Sequence, residues 1–563
     1  MKIQEIREKM KQNGVEAYVV AHGNRFIGQD ILESEHKLKA LCGFSGSAGI
    51  AAVTVDKVFL LVDGRYELQA RLETNAEEIT VVDMMPRFKS VCDLLAEEKI
   101  ERIGYDAWCH SVAEMEFLKR RYRNLVFVDV GDFMGLDNTL PVQSQVRDVQ
   151  FAGMSREEKC RSVMDELAEC AADYMLLTSA DSVSWLLNLY ARDLPCSPIV
   201  RAFALISKGG EVTLFADNLH ADLPVKSWAV FAAFMQNAGG KTIAYDAHTT
   251  PEKIKKLANA EAFLFKTQDV CALQKAEKNA VELQGMINCH IRDGAAVVKF
   301  FAWLEDNWQG KTELDVVAKL HQFRAEQEYF FGESFETIAG SGANGAIVHY
   351  KPTEKSNAAL KENSLLLLDS GGQYFDGTTD ITRTVILGEP TAEMIADFTT
   401  VLKAHIDLAM ARFPVGTSGA KLDVLARAKL WANGADYKHG TGHGVACFGN
   451  VHEGPISISV NGSDYGFKAN MVTSDEPGIY KEGQYGIRIE NLQYTAPLED
   501  ADGFLKFIPL TKVPIDKKLI DKYMLSGDEQ AWLNWYHQTV YTDLAPYLNA
   551  HERQWLEKAC APL

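Results

Sequence analysis

The 563-residue chain lacks several things, and each absence removes a class of function. No stretch approaches ~18 uninterrupted apolar residues, so no membrane span is expected. No basic tract occurs, and 58 Lys plus Arg against 77 Asp plus Glu leave a net charge of -19. So acidic a surface repels phosphate backbones and anionic lipid, which excludes nucleic acid and membrane as expected partners. The ten cysteines include no CxxC pair, and most lie in apolar or helical contexts such as Cys170 in MDELAECAADYM. Free buried thiols in a reducing cytoplasm are the expectation. The N-terminus, MKIQEIREKMKQNGVEAYVV, has no apolar core with a small-residue cleavage site. It reads as an amphipathic helix running into a strand, not as a signal peptide.

What is present exceeds one hydrophobic core, and two to four domains are expected. Two segments share one pattern. The first runs through AYVVAHGN and LCGFSGSAGIAAVTVDKVFLLVDGRYELQARL to NLVFVDVGDFM. The second runs through DYMLLTSADSVSWLLNL and PIVRAFALISKGGEVTLFAD to FLFKTQDV. Each has a helix, a strand, a turn and a hairpin-like pair of β-rich runs, which predicts a duplicated α/β domain. A polar linker without strong periodicity, GLDNTLPVQSQVRDVQ, joins the copies. Near residue 274 a long helical pattern begins, followed by alternating strands and helices that carry the dense polar motifs. The chain then returns to helix, with Trp532, Trp535, Tyr536, Tyr541 and Trp555 at spacings that suit packing. The expected domains are 1–140, 141–273, 274–495 and a C-terminal helical extension, 496–563, packed on the third.

One of the motifs, HGTGHGVACFGNVHEGP at 439–455, sets three histidines among five glycines. Its partners lie elsewhere. In LLLLDSGGQYFDGTTDITRTVIL, residues 365–387, two β-rich runs flank a turn. With the loop centred near Tyr374, Asp369 and Asp380 oppose each other with Cβ atoms ~5 Å apart. Like charges that close need a proton or a cation between them. Asp376 precedes Gly377 and suits the turn itself. In SDEPGIYKEGQYGIRIENL, residues 474–492, Glu476 precedes a Pro-Gly strand end. There Arg488 and Glu490 share one strand face, and Ile487 and Ile489 the other. Asp369, Asp380, His443, Glu476 and Glu490 thus offer four carboxylates and one imidazole. That donor set suits two divalent cations, Mn²⁺, Co²⁺ or Zn²⁺, in a hydrolytic pair.

In this order the three motifs resemble those of the pita-bread metallopeptidases, and the chain as a whole is similar to the three-domain cytosolic Xaa-Pro aminopeptidases. GFSGSAG, DGRYELQA, SGANGAIVHYKP and the aromatic tail extend the likeness over nearly the full length. The resemblance implies an α/β (α+β) chain in which two creatinase-like domains precede a pita-bread catalytic domain. It implies that Asp369 binds one metal, His443 and Glu476 the other, and that Asp380 and Glu490 bridge them. His349, His439 and His452 match outer histidines that hold substrate and stabilise the tetrahedral intermediate, and Arg488 matches an arginine beside the bridging glutamate. Ala446, Gly449 and Gly372 depart from the usual residues and affect only the pocket wall.

The implied reaction releases the N-terminal residue from peptides with proline second, with Glu476 as general base and proton shuttle. Mn²⁺ is the expected metal, a homodimer the expected assembly and the cytoplasm the expected location. A prolidase normally has one domain before the catalytic one, and methionine aminopeptidase lacks so long an N-terminal region. A creatinase-type amidinohydrolase would not need all five ligands, and a non-catalytic binding relative would be expected to have lost some.

Overall fold

The apolar runs Ile50–Thr54 and Val58–Val62 are buried along their whole length. Strands with both faces covered need no polar alternation. Val53 and Leu60 pack on one side of the sheet with Ile6 and Met10 of the helix Ile3–Asn13. Ile50 and Leu61 pack on the other side with Phe88, Val91 and Leu95 of the helix Phe88–Glu97. The sheet has six strands in the order Thr80–Asp83, Val58–Val62, Ile50–Thr54, Ala17–Ala21, Arg102–Tyr105, Val126–Asp129. A second sheet repeats it as Val225–Lys226, Val212–Phe215, Phe203–Ser207, Tyr174–Leu177, Thr242–Asp246, Phe263–Thr267. Antiparallel and parallel pairings also match between the two, so the repeated sequence pattern is a repeated topology.

The computed structural model describes residues 3–28, 30–85, 87–136 and 140–563; Met1 and Lys2 of the N-terminal reading and 137–139 of the linker lie outside the described residues. The chain divides into two units: Met1–Arg147, Met154–Leu194 and Ile199–Cys271 in one, Asp148–Gly153, Pro195–Pro198 and Ala272–Leu563 in the other. The linker is more ordered than its composition suggests. Val142–Gln143 pairs with Leu219–His220, Gln145–Val146 pairs with Leu189–Tyr190, and Val149–Ala152 forms a helical turn capped by Asp148. Backbone pairing and capping need no hydrophobic period, so the pattern gave no sign of them.

The second unit contains the 28-residue helix Ala280–Asn307, which Asn279 and Glu282 cap reciprocally. A six-stranded sheet follows in the order Arg412–Pro414, Phe504–Pro509, Asn491–Pro497, Val472–Asp475, Gly442–Gly444, Glu453–Ile458. Helices Ala392–Ala409 and Gly419–Trp431 share its apolar core. The limit expected at residue 495 therefore falls inside a strand. Phe504–Pro509, expected to be helical, is that strand's partner, and the helix of the tail starts only at Gly527. Its alternating LKFIP run was masked by the aromatic helix after it. Trp532 stacks on Tyr536 and Trp555 on Phe301, as a packing role requires, although Trp535 is exposed. All ten cysteines are free thiols, and no helix among the described residues is long and apolar enough to cross a membrane.

Candidate metal centre

Asp369 lies near the end of strand Ser364–Ser370, flanked by Ile338–Ser341 and Ile381–Leu387. Asp369 stands opposite Thr382, not Asp380, and Gln373 opposite Thr378. The hairpin is thus centred between Phe375 and Asp376, one residue beyond Tyr374. Asp380 is diagonal to Asp369 on the same face, which opens the ~5 Å spacing to roughly 7–8 Å. The turn set this register, and hydrophobic alternation alone did not specify it. Asp376 does occupy the turn, where Arg292 pairs with it.

The second motif supplies His443 from the short strand Gly442–Gly444. Its backbone is squeezed between two neighbours: a Cβ on Gly442 would lie 2.0 Å from the Ser474 carbonyl oxygen, and one on Gly444 2.3 Å from that of Glu453. Only glycine permits this approach. His443 Nδ1 lies 3.0 Å from the Gly444 carbonyl, which fixes the proton there and leaves Nε2 to face the carboxylates. Nε2 is 3.6 Å from Asp380 Oδ2 and 3.4 Å from Glu476 Oε1.

Glu476 follows strand Val472–Asp475 and accepts the Ser474 hydroxyl at 3.2 Å. Glu490 lies just past strand Tyr485–Arg488, with Ile487 and Ile489 in the core. Thr382 donates its hydroxyl to Glu490 Oε2 at 2.7 Å and accepts Arg488 Nε–H at 3.1 Å. Arg488 was expected beside Glu490. Its guanidinium instead bonds Asp369 Oδ2 directly, at 2.6 Å, and reaches Glu490 only through Thr382. The polar face of GIRIEN is not solvated either: Arg488 and Glu490 are each 1% exposed.

These groups fit a cation. Ligand atoms of Asp380, His443 and Glu490 all lie within 4.8 Å of one another, and no other trio of His, Cys, Asp or Glu is so close among the described residues. Asp369 and Glu476 border the trio without joining it. Asp369 Oδ1 is buried with no hydrogen-bond partner. Burial, then repulsion from Asp369 and Glu476, pushes Asp380 well above the usual carboxylate range. Burial, then Asp380, does the same to Glu490. Positive charge of about the right amount to relieve this is what divalent cations bring.

Of the outer histidines, His452 sits edge-on to His443, with ring centroids 4.3 Å apart, and His349 lies in a turn before Tyr350. His439 stacks on Tyr437 and has partners at both ring nitrogens: Nδ1 at 2.7 Å from the Gly440 carbonyl and Nε2 at 2.8 Å from the Tyr480 hydroxyl. Tyr480 escaped the sequence reading. Its hydroxyl accepts Arg488 Nη1–H at 2.7 Å and lies 2.8 Å from His439 Nε2, so it joins the arginine to the histidine. A tyrosine two residues after Pro-Gly on a strand carries no signal of this kind.

Comparison with known proteins matches four successive segments of the chain. The model described as metallopeptidase family M24 matches residues 284–496, and the C-terminal region of peptidase M24 matches 503–563. Creatinase/prolidase N-terminal domains match 2–135 and 140–282. A probable Xaa-Pro aminopeptidase P of Laccaria bicolor is 36% identical, over 100% of this chain and 93% of its own length. The chain belongs to metallopeptidase family M24. Aminopeptidase P2 of Arabidopsis thaliana is also 36% identical to this M24 chain, covering 98% of it and 86% of the relative. A solved X-prolyl aminopeptidase of Caenorhabditis elegans, described as cytosolic with a di-nuclear active site, superposes with a TM-score of 0.93. It is 31% identical and is matched over 100% of both chains. The class expected of the sequence, an α/β (α+β) chain with two creatinase-like domains before a pita-bread domain, is the class observed.

Proposed function

We propose that this M24 chain is a two-metal Xaa-Pro aminopeptidase, releasing the first residue from peptides with proline second. The observation that carries the reading is the convergence of Asp380, His443 and Glu490 within 4.8 Å, bordered by Asp369 and Glu476. Asp369 would hold one metal, His443 and Glu476 the other, and Asp380 and Glu490 would serve both. Bound divalent cations supply the Lewis acidity that lowers the pKa of water and polarises the scissile carbonyl.

The residues do the rest. Arg488 and Thr382 hold the Asp369 and Glu490 carboxylates in orientation. Glu476 is among the more accessible ligands, its side chain 18% exposed against 6% for Asp380. That openness lets it take a proton from attacking water and return it to the departing proline nitrogen, which has no hydrogen of its own. His349, His439 and His452 hold the substrate and the developing oxyanion. Because His439 already has partners at both nitrogens, it acts together with Tyr480.

The donor set, four oxygen ligands and one nitrogen, favours Mn²⁺, with Co²⁺ or Zn²⁺ as alternatives. A homodimer in the cytoplasm, peptide substrates and the domain limits near residues 140 and 273 complete the proposal. Product identification tests it. Mn²⁺-loaded protein should release Arg from Arg-Pro-Pro and leave its acetylated form intact. Rapid cleavage confined to the dipeptide Gly-Pro would make the protein a prolidase, and equal cleavage of acetylated peptide would overturn the aminopeptidase reading.

A further inference from the structure

The N-terminal unit contains a cavity of about 610 Å³ whose wall draws on both of its sheets' halves, from Asn24 to Lys253. That volume suits a small molecule. Arg25 stands on the wall with its guanidinium 4.5 Å from the Trp228 ring and 5.3 Å from the Trp108 ring. Two indoles hold the fork in one place, which lowers the entropy a ligand must spend to engage it. Yet Arg25 makes no hydrogen bond or ion pair with any described residue. The neighbouring cations are committed: Arg201 to Glu35 and Asp193 at 2.8 and 2.9 Å, Lys253 to Asp129 at 2.9 Å. Lys37 has Asp132 at 3.4 Å and Cys109 Sγ at 3.4 Å. The hydrogen-bonding capacity left over is Arg25's.

The rest of the wall says what could use it. Five carboxylates line the same cavity, so a dianion such as phosphate meets about twice the repulsion that a monoanion does. Phe26, Leu136 and the two tryptophans offer an apolar surface beside the guanidinium. We infer that this cavity binds a small molecule with one carboxylate and an apolar body, a free amino acid or the C-terminal end of a short peptide, with Arg25 holding the carboxylate. None of the wall belongs to the unit that carries the metal-centre residues.

Calorimetric titration of the full, metal-loaded chain tests this, with leucine, N-acetylleucine, leucinamide and inorganic phosphate as probes. Leucine should bind saturably, whereas leucinamide and phosphate should not compete for its site. Equal binding of N-acetylleucine assigns the site to a peptide C-terminus, and its exclusion assigns it to a free amino acid. Arg25→Gln should weaken binding at least tenfold, the loss of a charge-assisted pair, and Arg25→Lys should fall between. Both variants should hydrolyse Arg-Pro-Pro at the parent rate, which shows that they fold. Undiminished leucine binding in Arg25→Gln, equal binding of leucinamide, or no saturable binding at all would overturn the inference. So would loss of hydrolysis in Arg25→Gln with metal retained, since the arginine would then serve the reaction.

Discussion

Replacing Tyr480 by Phe removes one oxygen atom and two hydrogen bonds. The hydroxyl accepts from Arg488 Nη1 at 2.7 Å and is hydrogen-bonded to His439 Nε2 at 2.8 Å. The ring stays in its pocket, and the fold should survive. Arg488 keeps its bonds to Asp369 and Thr382, so the ligands keep their orientation. His439 loses its Nε2 partner and keeps only the Gly440 carbonyl at Nδ1. A hydrogen bond to a charged group is worth about 1.5–3 kcal/mol. Spent in the transition state, that is about 10–100-fold in kcat/KM. Steady-state hydrolysis of Arg-Pro-Pro, with metal content measured on the same samples, checks this. The expected result is that loss of rate with two metals per chain retained. A parent-like rate would refute the linkage between Arg488 and the outer histidine. Loss of metal as complete as that in an Asp380 variant would place Tyr480 in metal binding instead.

The remaining predictions concern the carboxylates and the histidines. Asp369→Ala, Asp380→Ala and Glu490→Ala should each lose metal and activity together, and full metal by elemental analysis in all three would refute the ligand set. His349→Ala, His439→Ala and His452→Ala should keep most of their metal and lose much of kcat/KM, so metal loss in any one would reassign that residue. Burial and like charge raise Glu490 in the folded metal-free chain, so its contribution to stability is present below the ordinary carboxylate pKa and lost as pH rises. Metal-free Glu490→Gln should therefore melt with the parent at acidic pH and above it at pH 8, by about 1–2 °C for each 1 kcal/mol of relieved repulsion. Thermal melts at the two pH values test this, and a variant that melts below the metal-free parent at pH 8 would refute it.

What the sequence could and could not say follows from which forces left a local trace. The doubled N-terminal architecture was legible because buried strands such as Ile50–Thr54 and Phe203–Ser207 need continuous apolar runs, and the runs recur in the same order. The five candidate ligands stood out because carboxylates and an imidazole beside Gly and Pro are hard to explain as core, and three of them, Asp380, His443 and Glu490, lie together. Tyr480 and Thr382 were not. A tyrosine and a threonine in strands are unremarkable until tertiary pairing puts one hydroxyl between Arg488 and His439 and the other between Arg488 and Glu490.

The register of the Asp369 hairpin shows the same limit and gives it a consequence. A direct Asp369–Asp380 pair would hold two carboxylates ~5 Å apart, room for one shared cation and little else. The turn centred between Phe375 and Asp376 shifts the pairing by two residues, and Thr382 takes the place opposite Asp369. That shift does two things. It moves Asp380 along the strand toward His443, and it brings the Thr382 hydroxyl between Arg488 and Glu490. Asp380 thereby joins His443 and Glu490, with ligand atoms within 4.8 Å of one another, while Asp369 borders that cluster. Arg292 pairs with Asp376 in that turn.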